Sequence, residues 1–291
     1  MKFLIITLLL ISSLSFSAEA LETNSVLEIE KKVLEKGKKH GVKNVLVVFD
    51  IDNTLMAMNQ DFGSDQWWGW QSGNCLKKKA PSFCVTNDFG TLLDIQGQIF
   101  AMSGMKPSEK ATPKVIKNLQ KKGYKVILLT SRGPGFRNAT QRALKMNKMN
   151  FQASAIGPKK GYPGVFKPYN LKTPKKFGLT KNDLEKSGNK KSRKASYMNG
   201  LFMTSGMNKG IMLKALLHKT NSKFKSIIFA DDHIKHTKRM QQILGDKKNI
   251  DLVTYRYGAI DSVVSAFKKG NKKEVINAWK SFKSLKAKAF K

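Results

Sequence analysis

Two carboxylates two residues apart, Asp50 and Asp52, close the apolar run Val45-Leu46-Val47-Val48-Phe49. On an extended chain residues i and i+2 point the same way, so both acids face one side of the strand's end. One can attack an electrophile while the other moves protons. In open α/β sheets ligands bind outside the carboxyl ends of the strands, which is where these acids fall. The competing reading is a strand that stops at a polar turn supplied by Asp52-Asn53. Three further stretches carry reactive groups at the ends of predicted elements. Thr130-Ser131-Arg132 follows an apolar run at 124–129, Lys209 stands behind the helix-capping Asn208, and Asp231-Asp232 ends an apolar run at 226–230.

The elements that must position these groups alternate along the chain. Residues 24–39 place Val26, Ile29, Val33 and Leu34 at helical spacing, with Asn24 or Ser25 as N-cap, and Gly41 leads into the strand that ends at Asp50. Residues 56–105 show no sustained period and read as an insertion standing over that strand end. Thr112-Pro113 opens a helix that stops at Gly123, and residues 138–149 are helical in composition. Residues 157–198 are rich in Lys, Gly and Pro and read as a basic loop or minor subdomain with few core positions. Strands are predicted at 200–204, 226–230 and 250–255, with helices after the second of these and from Lys209 to His218, the latter capped by Asn208. Val275, Ala278, Trp279 and Phe282 form an apolar stripe suited to covering a sheet. Strands alternating with helices predict an α/β fold with a Rossmann-like parallel sheet flanked by helices, plus a small cap.

Taken together, Phe49-Asp50-Ile51-Asp52-Asn53-Thr54-Leu55, Leu128-Leu129-Thr130-Ser131-Arg132, Asn208-Lys209-Gly210 and Ile228-Phe229-Ala230-Asp231-Asp232 resemble, in order, the four motifs of the haloacid dehalogenase (HAD) superfamily. The resemblance spans residues 44–255 and extends, at motif level, to the exported acid phosphatases of that superfamily. It implies a Mg²⁺-dependent phosphohydrolase in which Asp50 attacks phosphorus and Asp52 protonates the leaving oxygen and then activates water. Thr130 would bind the phosphoryl group and Lys209 would balance charge. Asp50, the carbonyl of Asp52 and one of Asp231 and Asp232 would hold the metal, with Asp232 the first choice. The chemistry agrees, because an anionic carboxylate attacks an anionic phosphate only where cations and amide donors neutralise the phosphoryl oxygens. A dehalogenase would not need Asp52 or the metal.

Other residues leave alternatives open. Ser131 adjoins the site, and Arg132 either touches substrate or pairs with an acid. Trp67, Trp68 and Trp70 either stack a ring over the site or form the core of the insertion. His233 and His236 read as surface or supporting histidines, since a zinc site needs more ligands. Cys75 and Cys84, the two cysteines of the chain, are either buried thiols or a disulfide closing a short loop, worth about 2.5 to 3 kcal/mol.

The chain has 291 residues, enough for a large core. Lys2, the apolar stretch to Leu10 and the small-x-small site Ala18-Glu19-Ala20 read as an export signal covering residues 1–20, with Ser15-Phe16-Ser17 as a second cleavage site. The expected location is therefore periplasmic or secreted, with no membrane span after removal of the signal. The formal charge of +34 is carried almost entirely by lysine. It attracts polyanions without specifying which, and suits a solvated surface better than a groove that reads bases. The expected partner is a phosphorylated small molecule. The rival function is a polyanion-binding protein on the same scaffold with weak or lost catalysis.

Overall fold

Val45, Val47 and Phe49 point into one hydrophobic cluster and Leu46 and Val48 into another. A parallel strand in mid-sheet needs apolar side chains on both faces, which is why β2 (Val45–Phe49) reads as an unbroken apolar run. The computed structural model describes residues 18–289 apart from 159, 189, 190, 247 and 248. Its main sheet has seven strands in the order β1 (Glu19–Thr23), β9 (Asp251–Tyr257), β8 (Ser226–Asp231), β2, β5 (Lys125–Thr130), β7 (Leu201–Met203) and β6 (Ser196–Met198). Every pairing is parallel except β6 with β7. The expected α/β architecture is therefore the observed one.

One face of the sheet is covered by α1 (Val26–His40), α4 (Thr112–Lys121) and α5 (Arg137–Met146), and the other by α7 (Lys209–Lys219) and α8 (Ile234–Leu244). Ser25 caps α1 as expected, its hydroxyl accepting the amide of Leu27. Glu19 and Ala20 belong to β1, so a signal boundary after Ala20 falls inside a strand paired with β9. Residues 1–17 of the expected signal lie outside the described residues.

The insertion is entered and left through a two-stranded antiparallel neck, β3 (Met56–Met58) and β4 (Met105–Pro107). Beyond it the residues that show no sustained period are largely helical. Ser64 and Asp88 cap two helices, α2 (Asp65–Cys75) and α3 (Phe89–Met102). Cys75 is the buried last residue of α2 and forms a disulfide with Cys84, Cα–Cα 5.5 Å.

The C-terminal expectation is corrected. Both faces of the sheet are already taken, and α9 (Asp261–Lys269) and α10 (Lys273–Ala289) pack on the insertion instead. Phe267, Val275, Trp279 and Phe282 join Trp67, Leu92, Ile95 and Ile99 in a third core. Among its described residues the basic stretch 157–198 holds the short helix α6 (Lys181–Ser187), a turn at Pro174–Phe177, a bridge between Phe166 and Ala195, and β6. It nevertheless gives Tyr169, Leu179, Ala195 and Tyr197 to the α7–α8 side of the core, more than its composition suggests. No helix among the described residues is long and apolar enough to cross a membrane.

Candidate active site

Beyond β2 the backbone amide of Asp50 still bonds to the carbonyl of Ala230, so the acid is held in line with the sheet. The chain then curls: the amides of Thr54, Leu55 and Met56 all converge on the carbonyl of Ile51. Asn53 adopts φ 56°, a left-handed conformation that asparagine tolerates. This turn buries Asp50 and leaves the Asp52 side chain 27% exposed at the mouth.

Lys209 is fully buried at the first turn of α7. Asn208 caps that helix by accepting the amides of Gly210 and Ile211. Gly210 lets α7 lie close to α8, since a Cβ there would meet the carbonyl oxygen of Arg239 at 2.6 Å. The ammonium of Lys209 lies 2.7 Å from Asp50 Oδ1 and 2.6 Å from Asp231 Oδ2. Burial opposes its charge, but the two carboxylates prevail and hold its pKa above the usual lysine range. Burial lifts Asp50 to about 7 against the pull of Lys209, with Asp231 and Asp52 adding to the rise. Asp231 and Asp232 are also raised, chiefly by burial, Asp232 well above the ordinary carboxylate range.

Asp231 and Asp232 differ in their partners. Asp231 spends one oxygen on Lys209 and the other on the amide of His233, at 3.0 Å. Asp232 meets only the Thr54 hydroxyl at 3.5 Å and His233 Nε2 at 3.8 Å, while its own amide donates to Thr54 Oγ1. Thr54 thus anchors Asp232. It is the threonine of the first motif, and no role was expected for it.

The arrangement fits a hard divalent cation. Asp50, Asp231 and Asp232 each bring a carboxylate oxygen within 4.8 Å of the others, and one ammonium pairs with the first two. Asp50 Oδ1 is buried, and the ammonium of Lys209 at 2.7 Å is the polar group that reaches it. Oxygen donors in this number suit Mg²⁺, which keeps several of its waters.

Arg132 pairs with an acid, which resolves one alternative. Its Nε and Nη2 donate to the two oxygens of Asp52 at 2.9 and 2.6 Å. Its Nη1 donates to Thr140, and the guanidinium lies 3.9 Å over the Phe100 ring. That fork fixes Asp52 in one orientation and commits Nε and Nη2 to the acid, so the pairing alternative for Arg132 is the one seen, while the residue also lines a cleft beside Asp52. Thr130 is fully buried. Its hydroxyl accepts the Arg132 amide at 3.1 Å, and its carbonyl accepts the amide and hydroxyl of Thr204, which ties β5's end to the loop after β7.

A cleft of about 580 Å³ opens beside Asp52 between the sheet and the insertion, and Ser131 and Arg132 line it. The three tryptophans separate. Trp67 is fully buried against Phe62, and Trp70 stacks on Phe83 at 4.9 Å and meets Phe267, so both are core and their expected ring-binding role is corrected. Trp68 alone of the three lines the cleft. His233 is exposed and meets Asp65 at the start of α2, Nε2 to Oδ2 3.0 Å. That hydrogen bond, ahead of neighbouring acids, lifts its pKa to about 9. His236 is pushed down to about 2 by burial and by Lys209.

No curated protein matches the chain. A match covering residues 22–289 shows that the chain belongs to the family described as "Protein of unknown function (DUF2608)".

Proposed function

We propose that the protein is a Mg²⁺-dependent phosphomonoesterase of the HAD type that works through an aspartyl-phosphate on Asp50. The observation that carries the reading is the meeting of three element ends, those of β2, β8 and α7, at one buried point, with Asp50 2.7 Å from Lys209 and beside Asp231 and Asp232. A carboxylate oxygen of Asp50 attacks phosphorus, the bond from phosphorus to the leaving oxygen breaks, and Asp52 gives that oxygen a proton. Asp52 then takes a proton from water as the water attacks the aspartyl-phosphate, and inorganic phosphate leaves with Asp50 restored. Arg132 keeps Asp52 aimed at the leaving group. Lys209 stays protonated and offsets the charge that gathers around Asp50. Mg²⁺, when held by Asp50, Asp232 and the Asp52 carbonyl, supplies the positive charge that lets a carboxylate approach a phosphate dianion. Ser131 presents a hydroxyl to the cleft, and Thr130 holds the loop that carries it.

Turnover of 4-nitrophenyl phosphate by the purified protein with Mg²⁺ tests the reading, with Asp50→Asn as background. Rates above that background are expected. None above it across nucleotides, sugar phosphates and phosphopeptides would favour the rival reading, a polyanion binder, for which the +34 charge speaks. Salt-dependent retention of a random oligonucleotide by Asp50→Asn would then support it.

The same reading includes export. The Cys75–Cys84 disulfide suits an oxidising compartment. Glu19 pairs with Val253 in the sheet and bonds to Lys36 at 2.6 Å, which favours removal of the leader after Ser17 rather than after Ala20. The intact mass of the exported protein, expected to begin at Ala18, checks this.

A further inference from the structure

The cleft has two kinds of lining that the phosphoryl chemistry does not use. Trp68, Phe89, Leu93 and Phe136 form an apolar, mostly aromatic wall that comes from α2, α3 and the turn before α5. Trp68 and Phe89 stand edge to face, ring centroids 5.8 Å apart, so the wall is preformed. Phe89 is 51% exposed, an unusual position for a phenylalanine that serves only as core.

Arg193 and Lys235 also line the cleft. Arg132 and Lys209 are fully engaged by acids, but these two cations are not. Arg193 donates to the carbonyl of Gly206 at 3.2 Å, and neither it nor Lys235 meets a carboxylate within 4 Å among the described residues. Asp65, the other acid in the cleft besides Asp52, is paired with His233. Two cations not paired with an acid therefore share a cavity with an aromatic wall.

We infer, building on the phosphomonoesterase reading, that the leaving group is a flat apolar ring that bears a second anionic group. The ring packs on Trp68 and Phe89 while Arg193 and Lys235 take the second anion. An alkyl leaving group would leave the aromatic wall without a partner, and a neutral one would leave both cations unused. Arg193 comes from the basic stretch and Lys235 from the first turn of α8. Specificity is thus shared between the insertion and two segments outside it.

Benzyl and propyl phosphate have leaving alcohols of similar acidity, so their ratio of kcat/KM reads the ring. The ratio of 4-carboxybenzyl to benzyl phosphate reads the second anion. Benzyl is expected to exceed propyl about tenfold, as a well-filled apolar pocket allows. The carboxylate should add about five- to tenfold at low salt, from two partly exposed charge pairs. Arg193→Ala combined with Lys235→Ala should bring the carboxybenzyl advantage close to one and leave the benzyl-to-propyl ratio standing. Trp68→Ala with Phe89→Ala should do the reverse. A wild-type carboxybenzyl ratio of one, or a ratio that survives loss of both cations, overturns the inference. If none of the esters is hydrolysed, the phosphatase reading fails. Calorimetric titration of the wild type with 4-carboxybenzyl and propyl phosphonate then still decides the pocket, and equal affinities overturn it.

Discussion

Removing one acid from the buried cluster should make the metal-free protein more stable and the metal-loaded protein less so. Asp232 offers an oxygen within 4.8 Å of its counterparts on Asp50 and Asp231, and its side chain is only 10% exposed. At that separation two like charges repel by roughly 3.5 kcal/mol in an effective dielectric of about 20. Proton uptake by the raised carboxyls relieves part of this without a cation. Asp232→Asn is therefore expected to gain about 1 to 2 kcal/mol in EDTA, or about 3 to 6 °C in Tm for a protein of this size. With Mg²⁺ at a hundred times its Kd the wild type should gain about 2.7 kcal/mol by linkage, or roughly 5 to 10 °C. The variant should gain little, so the order of the two melting temperatures reverses. Thermal melts over a MgCl₂ series at constant ionic strength, with NaCl controls, read this without any substrate. Equal Mg²⁺ shifts in the two proteins, or none in the wild type, would refute the charge argument and the metal assignment together.

Asp52→Asn should cost about 10² to 10⁴ in kcat for an alkyl phosphate, whose leaving oxygen needs a proton, and much less for 4-nitrophenyl phosphate. Equal losses on the two would remove Asp52 from the acid role. Trp67→Ala should lower stability by about 3 to 5 kcal/mol in urea titrations, because that side chain is fully buried in the insertion's core. Trp68→Ala should instead raise KM for aryl esters with a small change in Tm, and the opposite pattern would exchange their roles. Asp251 is buried at the start of β9. Burial opposes its charge, but Lys36 at 2.7 Å and His40 at 2.8 Å hold its pKa below the usual carboxylate value. A depressed folded pKa means that its contribution is full above the unfolded value and is lost as pH falls through the folded one. Asp251→Asn should therefore be about 3 to 5 kcal/mol less stable at neutral pH. Below about pH 4 it should lose stability less steeply than the wild type, and identical acid slopes would contradict the assignment.

How much of this was legible in the sequence depends on the range of the interactions. The strands at 45–49 and 226–230 and the acids that end them can be read locally, because a strand covered on both faces must be apolar throughout and its end must turn polar. Lys209 could be read as functional because a lysine in a helix's first turn opposes the dipole there. The fork from Arg132 to Asp52 links residues 80 apart in sequence, and nothing local distinguishes it from a substrate contact. In Trp67-Trp68-Gly69-Trp70 adjacent side chains point different ways around α2. Which one faces the cleft is decided by α9 and α10, about two hundred residues away. The helices of the insertion escape a local reading because Gly69, Gly73 and Asn74 weaken α2, which has no apolar stripe, and Gly90 and Gly97 weaken α3, whose stripe of Leu92, Ile95 and Ile99 is short. The destination of α10 was misjudged because an amphipathic stripe does not say what it covers.

The third core also has a consequence for the order in which the molecule is completed. Residues 59–104 leave the ribosome, and on the proposed route cross the membrane, well before Phe267, Val275, Trp279 and Phe282, which roof them. Until those last helices arrive, Trp67 and Ile99 have lost part of their cover, and contacts this distant in sequence form slowly. The part of the cleft wall that Trp68 supplies rests on that core, so it stays incomplete until α9 and α10 have packed. Trp67, fully buried in the folded molecule, and Trp68, half-buried there, are correspondingly more exposed on a chain that has not yet received α9 and α10.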